Sequence, residues 1–379
     1  MKHIVIAPDS FKESMTAMEA ATAIEKGWYR VFGDTVTYTK LPMADGGEGT
    51  FRALHDALLG NIHTHIVTGP LGDPVHAQYS FVEESQTAII EMAEASGLHL
   101  ISLESRNPLR TTTYGTGELV KHVLDRGAKH IILGIGGSAT NDGGIGFLQA
   151  LGAQILDKDG RAIPYGGQYL KDIVSIDFST LDTRLEAISI EVACDVENPL
   201  IGLNGATHVY GPQKGATPEM IDVLEAGMVH YHTVLAHTIG RNLAHIPGSG
   251  AAGGLGTALL VFPHVVLKRG IEIVLEKTRF NYYVQSSDLV ITGEGSIDGQ
   301  TIYGKTPIGV AKAAKVYQKP VIAIAGVLRE GFEQVEAHGI DAVFSVSKGP
   351  TTLKEALKDG KVDLERLAYQ IAKFYKVTK

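Results

Sequence analysis

The sequence predicts an α/β protein with a largely parallel sheet, and three observations carry the prediction. Short apolar runs alternate with segments of helical period along the chain. Three of those runs lead through a polar or glycine-rich loop directly into a helical pattern. The chain has 379 residues, more naturally two domains than one.

His3 to Ala7 reads as a buried strand, followed by a polar loop and a helix opening at Thr16. Thr16 and Glu19 have the spacing of a capping box, and Gly33 closes the helix. Residues 65–105 are strand-like, with Thr87 to Met92 the best run. A helix from Gly117, capped by Thr116, stops near Gly127. His130 to Leu133 is a strand that enters a glycine loop and then the helical segment Ile145 to Leu151. Thr217, Pro218 and Gly240 bound a long helix over Pro218 to Ile239. Asp288 to Thr292 is a strand followed by a glycine-rich loop and a helix from about Thr306. Pro320 to Ala325 and Ala342 to Val346 are two further buried strands, and the last helix covers Leu364 to Tyr375. There is no internal repeat and no low-complexity linker, so a domain inserted in mid-chain fits better than two in series. The expected division is 1–65 with 285–379, and 66–284 between them.

The net charge of −8 and the lack of any basic block argue against a nucleic-acid surface. The N-terminal apolar run, closed by Pro8 and Asp9, is too short for a signal peptide. The longest other apolar stretch, Ala258 to Leu267, is interrupted by Pro263 and His264 and cannot span a bilayer. A cytoplasmic location with no membrane partner follows. The lone Cys194 rules out an internal disulfide and a multi-cysteine metal site, and reads as a small buried apolar residue.

Glycine, at 44 residues, is the outlier, and four glycine-rich loops account for many of them. They are Ala44 to Thr50, Gly134 to Gly144, Gly248 to Gly256, and Gly293 to Thr301. Backbone N–H groups in such loops bind anionic oxygens, above all where a helix follows. Three of the four also carry Asp or Glu, and carboxylates repel phosphate unless a cation lies between them. The mixture points to phosphate held through Mg²⁺. Two pattern matches compete with that reading. Gly299 to Thr306 matches the P-loop pattern, but about seven residues separate it from the strand ending at Thr292, and Pro307 sits where the helix should be under way. Gly134-x-Gly136-x-x-Ala139 with Asp157 imitates a dinucleotide fingerprint, yet Asp142 puts a carboxylate where pyrophosphate should approach.

Taken in order, the motifs resemble the bacterial glycerate kinase family that phosphorylates the 2-hydroxyl. The matching stretches include Asp9-Ser10-Phe11-Lys12, Ala44 to Thr50, Gly115-Thr116-Gly117-Glu118, Gly136 to Gly144 and Ala193 to Leu200. Gly211 to Ala216, Gly250 to Gly254, Ile291 to Gly295 and Gly304-Lys305-x-Pro307-x-Gly309-Val310-Ala311 complete the set, which spans nearly the whole chain. The resemblance implies a flavodoxin-like domain built from both chain ends, a second α/β domain inserted between them, and an active site in the cleft. It implies ATP as donor, D-glycerate as acceptor and 2-phosphoglycerate as product. Many relatives carry a basic residue where this chain has Ser296.

Phosphoryl transfer needs positive charge on phosphate oxygens and a carboxylate near the attacking hydroxyl. Asp195, following the strand-like Ile188 to Cys194, is the preferred base, and Asp298 competes with it or coordinates Mg²⁺ with Asp45 or Glu48. Each could instead cap a turn. Lys12, Lys214 and Lys305 sit inside loops and are the candidate cations, Lys12 placed to assist catalysis. Gly46, Gly47, Gly136, Gly137, Ser138, Gly293 and Gly295 are the candidate nucleotide-binding positions. Asp45, Glu48 and Asp142 are the candidate Mg²⁺ ligands, and Arg110 with Ser10 would hold the glycerate carboxylate. His230, His232 and His237 on one helix, and His63 and His65 on a strand, read as solvated or core residues. A kinase of another small hydroxy acid and a dinucleotide-dependent oxidoreductase are the rival functions. The expected partner is a small molecule, with self-association into a homo-oligomer left open.

Overall fold

A computed structural model describes residues 1–44 and 49–378. Their contacts form two compact units, Met1–Leu59 with Gly270–Lys379, and Gly60–Arg269. The division falls at 59/60 and 269/270, against the 65/66 and 284/285 set from sequence.

The first unit begins with β1 (His3–Ile6), α1 (Ala17–Phe32), β2 (Thr37–Lys40) and α2 (Thr50–Leu58). Thr16 accepts the Glu19 N–H at 3.2 Å while the Glu19 carboxylate accepts the Thr16 N–H at 3.1 Å, so the capping box is formed as expected.

The second unit continues with β3 (Asn61–Thr68), β4 (Pro74–Val82), β5 (Thr87–Glu91), α3 (Ala93–Ser96), α4 (Tyr114–Asp125) and β6 (His130–Gly134). Then come α5 (Ile145–Ala150), the small hairpin β7 (Gln154–Leu156) and β8 (Ser175–Asp177), and β9 (Ser189–Ala193). It closes with α6 (Ala206–Tyr210), α7 (Pro218–Ile239), α8 (Ala251–Leu259) and β10 (Val265–Lys268). The main sheet runs β10-β9-β6-β5-β4-β3, parallel from β10 to β5 and antiparallel from β5 to β3. A core including Ile131, Leu133, Ile190, Val192, Phe147 and Leu255 packs against it. Helix α7 matches its expected bounds, with Thr217 accepting the Met220 N–H and Gly240 in the left-handed region. Helix α4 departs from expectation. It starts at Tyr114, because Asp142 accepts both the N–H and the hydroxyl of Thr113 and anchors the first turn. Thr116 is interior, its hydroxyl 2.9 Å from Ser96 Oγ.

The chain returns to the first unit with α9 (Gly270–Lys277), α10 (Phe280–Gln285), β11 (Leu289–Ile297), α11 (Thr306–Lys315), β12 (Val321–Leu328), β13 (Ala342–Ser345) and α12 (Leu353–Val377). Its sheet is parallel throughout, in the order β13-β12-β11-β1-β2. That is the flavodoxin-like order, in which the connections reverse direction between β1 and β11. The last helix begins eleven residues before the expected Leu364, because Thr352 and Glu355 form a second capping box that the apolar pattern did not reveal. Trp28 is buried, stacked on Phe32 and edge-on to Tyr375 of α12.

Candidate active site

The carboxyl edge of each parallel sheet collects the polar residues. In the second unit Gly134 of β6 pairs with Ala193 of β9, so the loops that follow leave neighbouring strands at one level. Ile135 N–H donates to Ala193 O at 3.4 Å, which holds the two exits together. Gly136 and Asp195 therefore stand at equivalent positions, two residues beyond the paired ends. Gly136, Gly137 and Asp195 are exposed.

Beneath this exposed turn the loop is anchored by buried polar groups. Lys214 is 2% exposed, and its Nζ donates to Ser138 Oγ at 2.8 Å and to Thr140 O at 2.7 Å. Burial pushes its pKa down to about 7, against the opposing pull of the Asp142 charge. Expected as a nucleotide contact, Lys214 instead spends two donors on its own protein.

Asp142 is fully buried. Its carboxylate accepts from the Thr113 N–H and hydroxyl, both at 2.8 Å, and from the N–H groups of Gly144 and Gly146. Burial pushes its pKa up, while these hydrogen bonds pull it down. This corrects the expectation of a Mg²⁺ ligand, since protein donors occupy both oxygens. It also removes the dinucleotide reading, because Asp142 takes the N–H groups at the start of α5 where pyrophosphate would bind. Asp157 only closes the turn between β7 and β8, with Arg161.

The third glycine loop is a packing device. A Cβ on Gly253 would lie 1.9 Å from Thr140 O, and its φ of +67° is strained for any other residue. Gly253 O accepts the Gly143 N–H at 2.9 Å, so this loop clamps the one after β6. Arg110 is exposed and directly precedes the buried Thr111, Thr112 and Thr113, of which Thr111 donates its hydroxyl to Ala139 O at 2.9 Å.

In the first unit Asp9 follows β1 at the point where the connections reverse. Its N–H donates to Gly293 O of β11 at 2.8 Å, and its carboxylate accepts from the Thr306 hydroxyl and the Ser10 N–H, each at 2.5 Å. On β11, Glu294 is 9% exposed and accepts from the Thr301 hydroxyl at 3.1 Å. Asp9 and Glu294 were not assigned roles from sequence, although the reversal between β1 and β11 marks this crevice as a ligand position. A small cavity of about 70 Å³ opens among Asp9, Ser10, Gly49, Arg52 and Asp56.

Gly293 and Gly295 lie within β11 and not in a loop, because β11 stays paired with β12 as far as Ile297. A Cβ at Gly293 would fall 2.1 Å from Ile324 O, so this glycine serves strand packing. The same extension overturns the gap used against the P-loop, since only Asp298 separates Ile297 from Gly299. Pro307 also fits the first turn of α11. What argues against a phosphate cradle is Asp298 itself. Its carboxylate accepts the N–H groups of Gln300 and Thr301 at 2.9 and 3.1 Å, the donors a P-loop aims at phosphate. Partial burial raises the Asp298 pKa, but those bonds and Lys305, 3.5 Å away, bring it below the usual carboxylate value. Lys12 is exposed in the turn between the bridged Phe11 and Met15.

Asp45, Gly46, Gly47 and Glu48 lie outside the described residues. Among the described residues no group of three or more His, Cys, Asp or Glu side chains is placed to hold a metal ion, and no helix is long and apolar enough to cross a membrane. His230 and His232 have structural roles, bonding Ile173 O and the Leu243 N–H. The Cys194 thiol is pushed up by burial, unlike a reactive thiolate.

The Glycerate kinase family model matches residues 4–376. A Bacillus subtilis glycerate kinase is 54% identical over 376 residues, covering 99% of this chain and 98% of its own. An Escherichia coli glycerate 2-kinase is 50% identical over 369 residues, covering 97% of each. A crystal structure of a Salmonella typhimurium LT2 protein, provisionally assigned as glycerate kinase 2, superposes with a TM-score of 0.91 at 51% identity, covering 100% of this chain and 99% of that one. Fold and relatives together define an α/β kinase of a small molecule, which implies a nucleotide phosphate donor. The chain belongs to the glycerate kinase family.

Proposed function

We propose that this protein transfers the γ-phosphoryl group of ATP to the 2-hydroxyl of D-glycerate in the cytoplasm, giving 2-phosphoglycerate and ADP. The reading rests on one observation, the full-length match to the family and to a relative named for the 2-kinase reaction. Asp195 takes the hydroxyl proton as the glycerate oxygen bonds to phosphorus and the bond to the ADP oxygen breaks. Its support is geometric, since Asp195 leaves β9 level with the exposed Gly136-Gly137 turn leaving β6. The backbone at Gly136, Gly137 and Ser138 is the phosphate-facing surface in this reading, held in shape from below by Lys214. Arg110, exposed and carrying a planar fork of donors, suits the glycerate carboxylate.

Mg²⁺ bound together with ATP would supply neutralisation of charge on the transferring group. Among the described residues no group of three or more His, Cys, Asp or Glu could hold the ion, and Asp45 and Glu48, which lie outside them, are its proposed protein contacts. Asp298 with Lys305 is the competing base, already engaged with its own loop.

The test is ADP release with D-glycerate and Mg-ATP, with the phosphate position read by NMR, for the wild type, Asp195→Asn and Asp298→Asn. Phosphate on the 2-hydroxyl with turnover lost only in Asp195→Asn supports both reaction and base. Product at another hydroxyl, or no turnover on glycerate, overturns the substrate. Loss confined to Asp298→Asn moves the base to the loop after β11.

A further inference from the structure

The outer edge of β3 is one of the two ends of the six-stranded sheet, and the sequence at its centre is a palindrome. Ile62-His63-Thr64-His65-Ile66 reads the same in both directions about Thr64. Which residues face outward follows from the register with β4. Thr68 lies opposite Pro74, which has no N–H, and the Thr68 N–H donates to Glu118 Oε2 at 2.7 Å, away from β4. Backbone groups alternate sides along an antiparallel strand, so Ile62, Thr64 and Ile66 also turn their N–H and C=O groups outward. Their side chains share one face of the sheet, where Ile62 is 37% and Ile66 58% exposed. Glu118 terminates this edge by capping Thr68.

Exposed strand edges are normally blunted by charge, proline or a bulge. Residues 61–68 contain no Lys, Arg, Asp, Glu or Pro, and β3 pairs with β4 over its full length without a bulge. We infer that the β3 edge is a dimer interface, its partner a second copy of this chain pairing antiparallel about a two-fold axis at Thr64. The occupant follows from the palindrome. A two-fold axis makes residue i face residue j and j face i, so only a self-complementary strand matches on both sides. About Thr64, Ile62 faces Ile66 of the second copy, Thr64 faces itself and Ile66 faces Ile62. Each of these three pairs exchanges two backbone hydrogen bonds, and the apolar pairs cover the exposed isoleucines. On the opposite face His63 meets His65 of the second copy. No Lys, Arg, Asp or Glu of residues 61–68 meets its like across the axis, and the two sheets become one continuous sheet.

A register shifted by two residues, the nearest that keeps the same backbone groups facing, would set Ile62 against Thr64 and His63 against itself, so the palindrome also selects the register.

Full-length wild type, Ile66→Lys and Thr64→Cys test the interface by sedimentation velocity and non-reducing electrophoresis. Two lysines facing the isoleucines across the axis are expected to shift the dimer to monomer, with circular dichroism unchanged. Thr64 faces itself at a Cα separation of about 5.5 Å, inside disulfide range, so Thr64→Cys is expected to form a reducible cross-linked dimer under mild oxidation. Cys194→Ala in the same background, with the cross-link retained, assigns it to position 64. A monomeric wild type overturns the inference, as does a dimer that survives Ile66→Lys. Failure of Thr64→Cys to cross-link while the wild type is dimeric places the interface elsewhere. None of these readouts depends on the substrate, so they stand apart from the test of the kinase reaction.

Discussion

The ammonium of Lys214 lies 2.8 Å from the hydroxyl of Ser138, 76 positions away in sequence, and the pair supports the turn after β6 from inside the protein. The lysine sits in the fold with its pKa lowered to about 7 from 10.5. The unfolded chain therefore binds more protons than the folded one between these values, and stability rises with pH across that window. Lys214→Met removes this dependence and leaves Ser138 and Thr140 O without their donor, at a cost of about 2 kcal/mol near neutral pH. Urea unfolding of both proteins between about pH 7 and about pH 9 reads the difference in slope. Parallel curves would disprove the assignment.

Asp195→Asn keeps the size of the side chain and removes its basicity. Steady-state kinetics should show kcat lowered roughly 10²- to 10⁴-fold with the KM for ATP little changed. A rise in KM alone would make Asp195 a binding residue.

Gly253→Ala tests the clamp between the loops after β6 and before α8. The added methyl meets Thr140 O at 1.9 Å from a backbone at φ +67°. The expected loss is about 3 kcal/mol or more, read as a lowered urea midpoint.

Thr306→Val removes the hydroxyl that donates to Asp9 and leaves that buried carboxylate one donor short. Thermal unfolding should show a loss of about 1–3 kcal/mol, and an unchanged Tm would mean that another donor replaces it.

His122 stacks on His65 at 3.7 Å and bonds Tyr79 OH at 3.0 Å. Burial, then the charge of His65, holds its pKa below 6.5. A histidine depressed in the fold contributes stability that is present above pH 6.5 and lost as pH falls through its folded value. His122→Leu should therefore show a smaller drop in urea midpoint between about pH 7 and about pH 5.5 than the wild type. An equal drop would place the acid sensitivity elsewhere, with His63 the next candidate because burial depresses it as well.

Much of the fold is local and was legible. The Thr16–Glu19 box, the Thr217-Pro218 start with Gly240 and the buried strands of both sheets are set by residues a few positions apart. The candidate site was legible only as a set of residue types. Ser138 and Asp195 fall on a carboxyl edge as expected, but Lys214 and Asp142 proved to be anchors, and Gly293 proved to be a packing glycine in β11. A glycine required by a neighbouring strand and one required by a phosphate look alike in sequence, because both are demands of space around the backbone.

The sequence by itself determined the α/β class, the family and the caps of α1 and α7, because short-range hydrogen bonds and periodic burial are written in neighbouring residues. Tertiary structure alone decided which polar groups meet. Asp9 reaches Thr306 across 297 positions, and Asp142 reaches Thr113 across 29, because parallel strands bring distant loops to one edge. Burial there decides whether a carboxylate or an amine is free for chemistry or already bonded within the protein, and that competition has no signature along the chain.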